Sequence, residues 1–107
     1  MSVEFLDAAG RSPFGSWFER LPALAAAKVT MALYRLEQGN TSNVKSVAQG
    51  VHELRIHFGP GYRVYFGMHG ETLIILLAGG SKKGQQQDID HAHRRWAEYK
   101  QKLHITR

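Results

Sequence analysis

A chain of 107 residues without cysteine is one domain, 1–107, large enough to bury a core unaided, and it excludes a disulfide framework, a thiolate nucleophile and a cysteine-based zinc site. The formal charge of +5 is uneven: up to Glu53 the acids Glu4, Asp7, Glu19, Glu37 and Glu53 are balanced by Arg11, Arg20, Lys28, Arg35 and Lys45, so the excess lies from Leu54 onward and points to a polyanionic partner, most often nucleic acid. The longest apolar run, Leu73 to Ala78, is too short to span a bilayer, and MSVEFLDAAGR carries acids where a signal peptide carries lysines, so a cytoplasmic protein with no membrane partner is expected.

In chain order, Val3 to Leu6 is a short strand candidate. Ser12-Pro13 reads as an N-cap with proline at the first helical position, and Phe14, Trp17, Phe18 and Leu21 then repeat as one buried aromatic stripe. Pro22 opens a second helix to about Glu37, packed through Ala25, Val29, Ala32, Leu33 and Leu36 with Leu24 and Met31 beside them, and Gly39-Asn40 stops it. Val44 to Val47 is a weak strand. Thr72 to Leu77, apolar on both faces, predicts a fully buried central strand leading into the basic loop Gly79 to Gly84. A last helix is expected from about Gln86 to Leu103, with Ile89, Ala92, Trp96, Tyr99 and Leu103 inward and Arg94, Arg95, Glu98 and Lys102 solvated. The order β-α-α-β-β-β-α makes an α+β domain with a mostly antiparallel twisted sheet, an N-terminal helical hairpin and a C-terminal helix.

The most informative stretch is HELRIHFGPGYRVYFGM, His52 to Met68, two alternating runs around Gly59-Pro60-Gly61. A loop of those three residues pairs Phe58 with Tyr62, Ile56 with Val64 and Leu54 with Phe66, so the apolar sets share a face. On the reverse face it sets His57 across from Arg63 and Arg55 across from Tyr65. Two arginines, a histidine and a tyrosine then form one patch on a packed support.

Gly79 to Gly84 has the glycine spacing of a nucleotide-binding loop, but Gln85-Gln86 stands where lysine and serine or threonine are needed, which argues against nucleotide hydrolysis. Lys82 and Lys83 still allow phosphate contact. Neither His52 with His57 nor His91 with His93 has ligand spacing, and no close acid pair suggests a glycosidase or two-metal nuclease, so no metal or cofactor is expected. Arginines can stabilise a pentacoordinate phosphorane, imidazole can move protons, and RNA brings its own 2′-hydroxyl nucleophile. The patch is as compatible with phosphate binding as with ribonuclease chemistry.

Glu53 to Phe66, ELRIHFGPGYRVYF, resembles the signature of the RelE/ParE toxin superfamily, in particular its HigB-like addiction module killer branch. Leu77-Ala78-Gly79-Gly80-Ser81-Lys82-Lys83 followed by Gln87-Asp88-Ile89 and Ala92, the Trp17/Leu21 helix, and Arg35 to Asn40 with Val44-Lys45 extend the likeness over nearly the whole chain. The resemblance implies a type II toxin, partnered by a DNA-binding helix-turn-helix antitoxin. It also implies a ribosome-dependent, metal-independent mRNA endoribonuclease leaving 2′,3′-cyclic phosphate ends. Arg63 takes the phosphate-binding role, Arg55 and His57 match the basic residues before the loop, and Lys82 or Lys83 the basic position after the long strand. The catalytic tyrosine of RelE has no counterpart, since Asp88 and Asp90 occupy that region. His57 is assigned proton transfer, and Tyr65, Lys45, Arg94 and Arg95 are the further candidates for RNA contact. The alternative on the same fold is a ParE-like, non-enzymatic poison of DNA gyrase.

Overall fold

The computed structural model describes residues 1–105. Its elements are β1 (Ser2–Glu4), α1 (Pro13–Glu19), α2 (Ala23–Glu37), β2 (Val44–Ser46), β3 (Val51–Ile56), β4 (Tyr62–His69), β5 (Leu73–Ser81) and α3 (Gln85–Ile105). The weak stretch at Val44 is a strand of its own, so the order holds one strand more than β-α-α-β-β-β-α. The sheet runs β1-β5-β4-β3-β2. All neighbours are antiparallel except β1 and β5, which are parallel. The α+β expectation is met, and among the described residues no helix is long and apolar enough to cross a membrane.

Local chemistry accounts for the helix ends. The Ser12 hydroxyl accepts from Gly15 N–H at 2.8 Å, with Pro13 beginning α1. At the end of α2, Gly39 takes φ 92°, and the N–H groups of Gly39 and Asn40 return to the carbonyls of Leu36 and Arg35.

Both faces of the sheet are covered. The helical hairpin packs Phe14, Val29 and Leu36 on Leu54, Ile56, Val64, Phe66, Ile74 and Leu76. On the other face α3 packs Ala92 and Trp96 on Val51, Tyr65, Ile75, Leu77 and Ala78. Residues 74–77 of β5 thus alternate between two cores, which explains their unbroken apolarity. Gly79 and Gly80 continue β5 instead of starting the loop. A register shift between Tyr65 and Phe66 leaves Leu77 unpaired, and beyond it Gly79 lies under Trp17 while Gly80 lies under Asp88. A Cβ on Gly79 would come within 2.1 Å of the Trp17 ring. Gly79→Ala is therefore expected to displace α1 and cost about 1–3 kcal/mol by overpacking, measurable by denaturant titration.

The hairpin departs from expectation by one step. Ile56 pairs with Tyr62, Arg55 with Arg63, Leu54 with Val64, and Glu53 with Tyr65. Phe58 cannot join the ladder because its carbonyl accepts Gly61 N–H, closing a turn through Gly59 and Gly61 at φ 57° and 79°. The loop is His57 to Gly61, two residues longer than read from sequence, and an even change leaves every paired side chain on its expected face. The predicted pairs Phe58–Tyr62, His57–Arg63 and Arg55–Tyr65 do not form.

Candidate functional site

The slip places Arg55 directly opposite Arg63, an arrangement that repels unless a counter-charge is at hand. Glu53 supplies it. This carboxylate is wholly buried, yet it accepts from Arg55 Nε at 3.0 Å, Tyr65 Oη at 3.2 Å and Gln85 Nε2 at 2.8 Å. Arg63 Nε stands 3.5 Å from Oε2, the oxygen that Tyr65 and Gln85 also reach. Burial alone would raise the Glu53 pKa, but the bonds from Arg55 and Gln85, the charge of Arg63 and the Tyr65 hydroxyl outweigh it and hold it below the usual carboxylate range. Polar residues of two strands, β3 and β4, and the first residue of α3 therefore converge on one anion.

The two guanidiniums differ in access. The Arg55 side chain is 39% exposed and that of Arg63 11%. Arg63 donates from Nη1 to the Gly61 carbonyl at 3.2 Å, tying it to the hairpin loop, while its Nε is buried without a hydrogen-bond partner. A point at the Gly61 Cβ position lies 3.7 Å from Lys82 Cβ and 3.8 Å from Arg63 Nη1, so Lys82 and Arg63 flank the same hairpin loop. Lys82 and Lys83 are exposed between β5 and α3.

The other candidates fall elsewhere. His57 is exposed in the loop after β3 and has no strand partner, but it lines a groove along α2 together with Arg55. Tyr65 is fully buried with its hydroxyl on Glu53, so no base can stack on it, and the stacking role is withdrawn. Burial, then the Glu53 charge, raises its pKa and keeps the phenol neutral. Arg95 is part-buried and donates to the Leu77 carbonyl at 3.0 Å, holding α3 to the sheet instead of standing on the solvated side. Arg94 is exposed on α3, and Lys45 is exposed on β2 opposite Glu53.

Sequence reasoning missed Glu53 as the centre, and with it Gln85 and Asp88. The one available signal was position: Glu53 and Arg55 are two apart in a strand, hence on one face. Asp88 lies against Gly80, and burial raises its pKa against the opposing charges of His91 and Arg95. The two carboxyl groups are thus pushed in opposite directions. Among the described residues no group of three or more His, Cys, Asp or Glu is arranged to hold a metal.

A five-stranded, mostly antiparallel sheet, two helices on one face, one on the other and a basic site at the hairpin end define a domain compatible with the RelE-like fold. Residues 16–97 match the family described as Phage derived protein Gp49-like (DUF891), and the chain belongs to that family. It is a toxin-like family of the RelE/HigB type found in toxin–antitoxin systems, which implies a cognate antitoxin. An uncharacterized protein of Haemophilus influenzae (strain ATCC 51907 / DSM 11121 / KW20 / Rd) is 46% identical over 80 residues, covering 74% of this chain and 81% of that protein.

Proposed function

We propose that this chain is the toxin of a type II toxin–antitoxin pair and a ribosome-dependent, metal-independent endoribonuclease of mRNA. The observation that carries the reading is the Arg55–Arg63 pair held by a buried carboxylate, with His57 lining the same groove as Arg55. One carboxylate against two guanidiniums leaves the cluster cationic, and fixed donors lose little orientational freedom when charge develops on a phosphate.

In this reading the substrate's 2′-hydroxyl attacks the adjacent phosphorus, the arginines stabilise the phosphorane, and the P–O5′ bond breaks. A 2′,3′-cyclic phosphate and a 5′-hydroxyl result. One proton leaves the 2′-oxygen and one reaches the 5′-oxygen, and His57 serves that transfer. Glu53 positions the arginines and keeps its own charge.

Primer extension on cellular messages after induction tests the proposal: cuts are expected within translated message. Intact mRNA with broken DNA would replace it by the gyrase-poison reading. His57→Gln is expected to slow cleavage while leaving ribosome binding near wild type. Equal loss of both would make His57 a binding residue.

A further inference from the structure

A groove of about 400 Å³ opens beside β1 and is bounded by α1 and α2. Phe14 and Phe18 of α1, Leu33 and Tyr34 of α2 and Leu76 of β5 make its surface apolar and aromatic. Its charged residues are Glu4 and Glu37, and none of its lining residues is basic in a chain of net charge +5. Glu4 makes no ion pair among the described residues, and a Cβ on Gly15 would lie 2.6 Å from its Oε1, so the carboxylate turns toward α1. Glu37 Oε2 accepts from the Ser2 hydroxyl at 2.8 Å, and the exposed N-terminal ammonium stands 4.0 Å from it. Two carboxylates against one ammonium leave the groove anionic.

β1 is also an edge of the sheet. The Met1 carbonyl accepts from Ile74 N–H, and Phe5 N–H donates to the Leu76 carbonyl. By alternation, the N–H and C=O groups of Ser2 and Glu4 face away from β5 and stand open to another strand. Tyr34 is 59% and Val3 37% exposed beside this edge. No residue of the groove belongs to the Glu53 network or to the loop from His57 to Gly61.

We propose that this edge and groove bind an extended, lysine- or arginine-bearing segment of another protein, about five residues long, which joins the sheet as a strand outside β1. Neither the toxin nor the nuclease reading is needed for it. The backbone of the segment would pair with Ser2 and Glu4, an aliphatic side chain would cover Phe18 and Leu33, and its cation would meet Glu4 and Glu37 with the Tyr34 ring nearby. Two other occupants fit less well. RNA would set phosphates against carboxylates. Symmetric pairing of β1 with a second copy would gather Glu4 and Glu37 of both copies along one seam with no lysine or arginine lining it.

The test uses a peptide of alternating lysine and valine about seven residues long, its glutamate-for-lysine counterpart, and a form N-methylated at two consecutive central residues, which removes donors from both edges. Binding to the full chain is followed by fluorescence anisotropy. Attraction to the whole chain, at +5, favours the glutamate peptide, so a lysine preference reports the groove. The lysine peptide should bind at least roughly tenfold tighter than the glutamate peptide, and Glu4→Lys/Glu37→Lys should reverse that order. N-methylation should cost at least about tenfold, since a strand partner needs its amides. Both substituted positions are exposed, and thermal denaturation confirms that the variant folds. Tyr34→Ala leaves both carboxylates in place and should weaken the lysine peptide about threefold, which keeps the test open if the double variant unfolds. Absence of preference, a preference that survives the charge reversal, or equal binding of the N-methylated peptide would overturn the proposal. So would a concentration-dependent dimer in sedimentation that Tyr34→Ala disperses, which would give the edge to a second copy.

Discussion

Glu53→Ala is expected to cost the fold about 3–5 kcal/mol, the largest stability loss of any polar substitution in the chain. The reason is what it strands. Arg55 and Arg63 stand opposite each other across β3 and β4, and Arg63 Nε is buried with only the Glu53 carboxylate at 3.5 Å. Without that anion two guanidiniums repel at close range, and the Tyr65 hydroxyl and the Gln85 amide lose their acceptor. In a domain of this size such a loss lowers the melting temperature by more than about 10 °C. Glu53→Gln keeps the volume and an acceptor oxygen and should fall between the two.

The pH dependence follows from the same carboxylate. Its folded pKa lies below the ordinary value of 4.5, so the stability it contributes is complete above that value and is lost as pH falls through the folded pKa. Asp88, raised above its ordinary 3.8, has the opposite sign: its ionisation costs stability as pH rises above that value. Acid unfolding of the wild type should accordingly be steeper than that of Glu53→Gln. Parallel acid limbs would show that Glu53 is not the stabilising anion.

The largest effect on activity is expected from the arginine pair. Arg55→Ala should reduce mRNA cutting about 10²-fold, the usual cost of deleting one preorganised donor. It should cost about 1–3 kcal/mol in stability, because the buried Glu53 Oε1 loses its bond from Arg55 while Oε2 retains Tyr65, Gln85 and the charge of Arg63. Arg63→Ala should abolish cutting and also destabilise by several kcal/mol, since it uncovers the buried carboxylate. Arg63→Lys keeps the charge without the planar fork, so it should recover stability more than activity. Primer extension paired with denaturant titration separates the two losses. Undiminished cutting by Arg55→Ala and Arg63→Ala would remove the proposed site.

The hairpin shows how much was legible beforehand. Alternation in HELRIHF and YRVYFGM reports which face each side chain takes, since period two belongs to every strand, and that reading holds. The pairing is another matter. Loops of three and five residues give the same faces, and the choice between them was made by the turn at Phe58 to Gly61 and by Phe58 packing beside α2. Tyr65 and Arg95 illustrate a second limit. An alternation or a helical stripe tells inside from outside only when one side is known to be solvent, and α3 covers the face on which Tyr65 lies. A half-buried arginine can then serve a backbone carbonyl as readily as a ligand.

By itself the sequence determined the helices, the strands, the covered β5 and the kinship of the chain, because periodicity, caps and apolar runs act over a few neighbouring residues. Only the tertiary structure decided that Arg55 meets Arg63, that a carboxylate wholly out of solvent joins them, and that a cation-rimmed groove opens along α2. Those features depend on register and on which faces are covered, and both are set by contacts between residues far apart in the chain, where local patterns carry no information.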